Sequence, residues 1–262
     1  MRAAAMLTLA SLTGAVAFFW PLFLRPGALL GSDSSGRTAT PFVMAAIMAV
    51  VLALLVSELS NDGLDVKALA MLGVLTAIGA VVRPLSAGTA GIETVFFLMI
   101  LAGRVFGPSF GFMLGTLTMF ASALMTGGVG TWLPYQMLAA GFVGLFPGLL
   151  PRRHPRPGSR TEIVVLGAYG FLSAFLYGYL MDFAFWPFAV GLGAGTQGGF
   201  DPAASPLHNI HTFLVVNTVT SLGWNLGRAV TNVVLVTVLG HPLLRIMRRT
   251  ARQGSFRDAP AS

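Results

Sequence analysis

The chain has 262 residues, of which 55% are hydrophobic and only 10% charged, and its mean hydropathy is +0.79. Soluble domains carry roughly 25% charged residues, so a water-soluble globular fold is excluded. The formal charge of +7 does not point to nucleic acid, because its sources are clustered: Arg152, Arg153, Arg156 and Arg160 in one segment, and Arg245, Arg248, Arg249, Arg252 and Arg257 in another. No aromatic residues interleave with them as a single-strand binder requires.

Apolar runs of roughly 17 to 25 residues span a bilayer, and eight spans are predicted, at 3–24, 41–57, 67–82, 94–106, 108–126, 133–150, 163–187 and 210–240. The first follows Arg2 as a signal peptide would. Its apolar run is too long for such a segment and ends in "FFWPLFLRP" with no small-residue cleavage site, so a retained helix is expected. The linker "SNDGLD" divides an N-terminal hairpin (1–60) from a six-helix unit (61–243), which a basic tail (244–262) follows. The expected fold is therefore an all-α polytopic membrane protein. No internal repeat is visible, which counts against inverted-repeat transporters.

Short basic segments flanking apolar spans mark the cytoplasmic side. That rule places "PRRHPRPGSR", the C-terminal tail and the N-terminus inside the cell membrane, and the connections 83–93, 127–132 and 188–209 outside. The acidic "SELSNDGLD" falls inside against expectation, and acidic residues weigh little in orientation.

Taken in order, the third span carries Ala70, Gly73, Ala77 and Ala80 at helical spacing. This is a small-residue face suited either to packing within the chain or to docking another membrane protein. The outer connection "VVRPLSAGTAGIETV" follows, with Arg83 and Glu93 at its two bases and Pro84, Gly88 and Gly91 between them. It reads as a movable flap or as a plain solvent loop. "GPSFG" at 107–111 separates the fourth and fifth spans, since proline after glycine stops one helix and can start another. At "TGGVGTWLPYQM", Trp132, Tyr135 and Gln136 stand at the outer mouth of the sixth span.

The seventh span ends in "YGYLMDFAFWP", where Asp182 lies among Tyr177, Tyr179, Phe183, Phe185 and Trp186. Those rings suit a planar ligand, or equally an interfacial aromatic belt. In the last span Asn217, Ser221, Asn225, Arg228 and Asn232 form one polar stripe. Such a stripe is costly against lipid and must face a wet cavity or a hydrogen-bonded seam, which makes Arg228 a site candidate. Arg228 needs a carboxylate, and Asp182 is the acid inside a late apolar run, though its depth differs. His208 and His211 lack a third metal ligand. No metal or other cofactor is expected, and no Walker loop, HExxH or GxSxG motif is present.

The run "AGRVFGPSFGFMLGTLTMFASALMTGGVGTWLPYQMLAAGFVGLFPGLLP" resembles the central signature of substrate-binding S components of energy-coupling factor (ECF) transporters. "GRAVTNVVLVTVLGHPLLRIMRR" is similar to the ending of family members, so the likeness covers about 65 to 250. Glycine and proline patterns carry it, and these speak to fold more than to ligand. The resemblance implies a subunit, not an enzyme, that captures a vitamin at the outer face beneath a closing flap. It then docks with a membrane T component driven by two cytoplasmic ATPase subunits. On it, the substrate-binding residues are expected to be Arg83, Glu93, Trp132, Gln136, Asp182, Asn217 and Arg228. The family's docking alanines map onto Ala70, Gly73, Ala77 and Ala80, with Gly73 departing from alanine. Cobalamin, thiamin and riboflavin all remain open as cargo. The rival readings are a membrane enzyme acting on a lipid or isoprenoid through Asp182 and Arg228, and a structural subunit without ligand.

Overall fold

The computed structural model describes residues 66–86, 91–151, 155–186, 198–201 and 204–253, together with scattered positions between 12 and 53. Gly88, Arg152, Arg153, Arg257 and nearly all of the second span lie outside the described residues. Six helices follow one another among the described residues of the core. They are α1 (Val66–Ser86), α2 (Phe96–Phe106), α3 (Pro108–Thr126), α4 (Leu133–Leu149), α5 (Arg160–Phe185) and α6 (Pro206–Gln253). By length and composition α1, α3, α5 and α6 can each cross a membrane, whereas α2 and α4 are shorter.

The α2–α3 break falls at Gly107, whose φ of 103° and ψ of 174° suit only a residue without a Cβ. Pro108 then opens α3 at a position where its missing N–H has no helical partner to lose. At the start of α5 the Ser159 hydroxyl accepts from the Glu162 amide at 3.2 Å, the ordinary N-cap arrangement.

Helix α2 is the hub. It packs on α3, α4, α5 and α6, which is why its 11 residues are apolar nearly all round and eight of them are buried. Helices α3 and α4 form one close pair, α5 and α6 another. The α3–α4 approach is set by glycine: a Cβ on Gly111 would strike the backbone of Gly144, one on Gly144 the backbone of Gly111, and one on Gly115 that of Ala140. Lipid supplies no hydrophobic drive between helices, so such backbone proximity maximises the dispersion contacts that replace it. Helix α1 is peripheral and packs chiefly on α3.

Part of the N-terminal segment is helical and lies on this core. Ala17 and Phe18 are buried, Phe18 meets Tyr135 at 5.3 Å between ring centroids, and Phe19 meets Phe183 at 5.5 Å.

The last helix departs from expectation. It was predicted to end near 240 with a separate tail from 244, yet α6 runs unbroken through Pro242 to Gln253. Its 48 residues extend about 72 Å at 1.5 Å per residue, far beyond a hydrocarbon core of roughly 30 Å. A part of α6 therefore extends beyond any one crossing. An ion pair holds its C-terminal part: Glu162 Oε1 accepts from Arg104 Nε at 2.8 Å and from Arg248 Nη2 at 2.6 Å.

Candidate functional site

A cavity of about 470 Å³ lies between the C-terminal end of α5 and the N-terminal half of α6. Its wall is aromatic on one side, from Trp132 just before α4, Phe185 and Trp186 at the end of α5, and Phe213 on α6. The polar side is Asp182, Asn217, Thr220 and Ser221. Three of the seven expected binding residues, Trp132, Asp182 and Asn217, thus meet at one cavity. Asp182 and Asn217 are joined by a hydrogen bond, Asn217 Nδ2 donating to Asp182 Oδ2 at 2.8 Å. Trp186 is anchored in turn, its indole N–H donating to the Gly198 carbonyl at 3.0 Å.

Arg228 lies deeper and outside the lining. Its carboxylate partner is Glu93, with Arg228 Nη2 to Glu93 Oε1 at 2.9 Å, and Asp182 is not that partner. The reason is depth: Asp182 bonds Asn217, which lies three turns above Arg228 on α6, while the second base of the flap lowers Glu93 onto the guanidinium. Arg228 Nη1 also donates to Asn225 Oδ1 at 2.9 Å and to the Ala174 carbonyl at 3.4 Å. Its guanidinium carbon sits 5.0 Å from the Tyr177 ring centre and 6.0 Å from that of Phe96, within cation–π range.

The polar stripe of α6 is consequently two things. Asn217 and Ser221 face the cavity, whereas Asn225, Arg228 and Asn232 form a buried seam, with Asn232 Nδ2 donating to the Gly170 carbonyl at 3.0 Å. The enzyme reading loses its geometry here, because Asp182 and Arg228 engage different partners.

Arg83 and Gln136 form a separate pair. Arg83 donates to Ser122 Oγ and to Gln136 Oε1, each at 3.2 Å, so the first flap base is tied to α3 and α4. The second base is tied back to the first by Thr94 Oγ1 donating to the Val82 carbonyl at 3.5 Å. Gly91 was expected to lend the flap mobility. It has φ of 78° and lies so close to the Trp224 backbone that a Cβ would collide with it. Close packing onto α6, not freedom of movement, accounts for a glycine at this position.

Of the aromatic residues near Asp182, Phe185 and Trp186 line the cavity. Tyr177 is buried against Phe96, and Tyr179 bonds Thr218 Oγ1 at 2.7 Å. On α1, Ala70, Gly73 and Ala77 are exposed, and a Cβ on Gly73 would meet nothing within 4 Å. Ala80, expected on the same face, is 1% exposed and turns into the bundle. The drift arises because spacings of three, four and three average fewer than 3.6 residues per turn, so Ala80 falls about 80° round the helix from Ala70.

Sequence reasoning missed the Arg104–Glu162–Arg248 cluster, in which Arg104 also donates to the Leu150 carbonyl at 2.8 Å. Arginines there were taken only as topology markers. The signal was a lone glutamate three residues after a serine cap, within an otherwise basic segment. Among the described residues no group of three His, Cys, Asp or Glu side chains is placed to hold a metal.

Residues 67–240 match the family described as "ECF transporter, substrate-specific component". No curated protein and no solved structure matches the chain.

Proposed function

The chain belongs to the substrate-specific components of ECF transporters, and from that premise we propose that it captures a vitamin-sized micronutrient in the cavity between the outer ends of α5 and α6. The members of that family are transporter subunits, not enzymes. The observation that carries the reading is the cavity itself: concave, mostly apolar, with a few polar groups together, the usual form of a small-molecule site. Its volume of about 470 Å³ favours a compact one- to three-ring compound such as thiamin or riboflavin.

Release to the cytoplasm requires partners, since the chain has no nucleotide-binding motif of its own. We propose a membrane T component and two ATPase subunits in that role, docking on the exposed small face of Ala70, Gly73 and Ala77. What supports this face is that α1 is peripheral and that its small residues leave room for a close helix. The N-terminus and the C-terminal arginines are assigned to the inner side on charge alone.

The test is to purify the chain, identify any co-purifying compound by mass spectrometry, and titrate the B vitamins by calorimetry. Vitamin binding, together with uptake that requires the chain and its ATPases, is the expected result. No binding across the B vitamins, with the partner ATPases fully active in uptake without this chain, overturns the proposal.

A further inference from the structure

We propose that the cavity between α5 and α6 selects a cationic ring compound over neutral or anionic ones of similar size; this rests on the cavity being the substrate site. Among the described residues, Asp182 is the one ionisable residue in its lining. Trp132, Phe185, Trp186 and Phe213 supply four aromatic rings, whose faces carry negative partial charge and attract cations. An anion there would meet a carboxylate set in an aromatic wall.

Neither nearby arginine reverses this balance by contact. Arg228 is neutralised by Glu93 at 2.9 Å and bonded to Asn225, and Arg83 donates to Ser122 and Gln136. Both are outside the lining.

Asn217 provides the second, independent observation. A carboxylate only accepts hydrogen bonds, so the amide must turn its Nδ2 towards Asp182 Oδ2. That orientation leaves Asn217 Oδ1 as an acceptor, buried and with no hydrogen-bond partner, on a residue only 3% exposed. A buried acceptor without a donor is costly. Asp182, on the cavity wall and held by the Asn217 amide, therefore presents a carboxylate to a ligand that brings donors or positive charge. A thiazolium, pyridinium or aminopyrimidinium ring meets that demand, with its N–H or cationic edge towards the acid and its apolar body against the aromatic wall.

The experiment titrates the purified full chain by calorimetry and tryptophan fluorescence with thiamin (cation), riboflavin (neutral) and pantothenate (anion), for wild type and Asp182→Asn. Thiamin is expected to bind tightest. Asp182→Asn, nearly isosteric and checked for an unchanged melting temperature, is expected to weaken thiamin by about ten- to a hundredfold. Riboflavin should change little. A second variant, Trp186→Leu, should weaken thiamin while leaving the charge ranking intact. Pantothenate or riboflavin binding tightest, or thiamin binding that ignores Asp182→Asn, overturns cation selectivity while the substrate-binding reading survives. Absence of binding by all three probes and by a mixture of the remaining B vitamins overturns both.

Discussion

Arg228 shows how a buried charge serves architecture before it serves a ligand. Its side chain is 9% exposed, and its charge is met by Glu93, at 29%, with Asn225 and the Tyr177 face completing the shell. Removing one partner of such a pair strands the other in a low-dielectric interior. We expect Arg228→Ala to destabilise the protein by about 3 kcal/mol, the lower end for buried pairs because Glu93 is partly wet. Adding Glu93→Ala should recover a part of that loss. Thermal unfolding of the two single variants and the double variant in one detergent gives the coupling, and a double variant no better than Arg228→Ala would contradict the assignment. A comparable argument applies to Glu162, fully buried between Arg104 and Arg248. Glu162→Gln should lower the melting temperature and expose the end of α6 to protease, since two arginines would then face each other without a counter-charge.

At the scale of elements, the decisive contacts are backbone to backbone. Gly111 and Gly144 let α3 and α4 touch, whereas Gly73 on the outer face of α1 has open space around it. The same substitution should therefore have opposite consequences. Gly144→Ala forces the pair apart and is expected to cost about 1–3 kcal/mol, as overpacking does; Gly73→Ala, with open space around its Cβ, should stabilise by about 0.5–1 kcal/mol. Melting temperatures of the two variants check this, and equal losses would refute the packing account. The flap belongs at this scale as well. Its bases are tied to α3, α4 and α6 through Arg83 and Glu93, and Gly91 is pressed onto α6 at Trp224. The two ends of this connection are thus held to the bundle by side chains 53 and 135 residues away in sequence.

At the scale of the whole molecule, the proposal puts substrate capture and partner docking on different surfaces, the cavity on the α5–α6 pair and the exposed small residues of α1. Ala77→Leu should leave vitamin titrations unchanged and weaken association with the T component by about tenfold, the equivalent of 1.4 kcal/mol. Pull-down of the assembled complex beside calorimetry of the isolated chain separates the two functions. A variant that loses vitamin binding would mean that the surfaces are not independent.

Composition and hydropathy by themselves determined that the chain is an all-α membrane protein, because apolar spans without charge have few alternatives in water. The "GPSFG" break was readable for a local reason: Gly107 and Pro108 act on their own backbone. The polar stripe on α6 was readable because helical spacing fixes which residues share a face. Which part of that stripe lines a cavity and which part seals a seam was decided only by tertiary structure. It depends on Glu93, 135 residues from Arg228 in sequence, arriving at one depth, and Asp182 at another. Pairing across such separations is set by how helices stack, and no local pattern encodes the depth at which two helices bring their charges together.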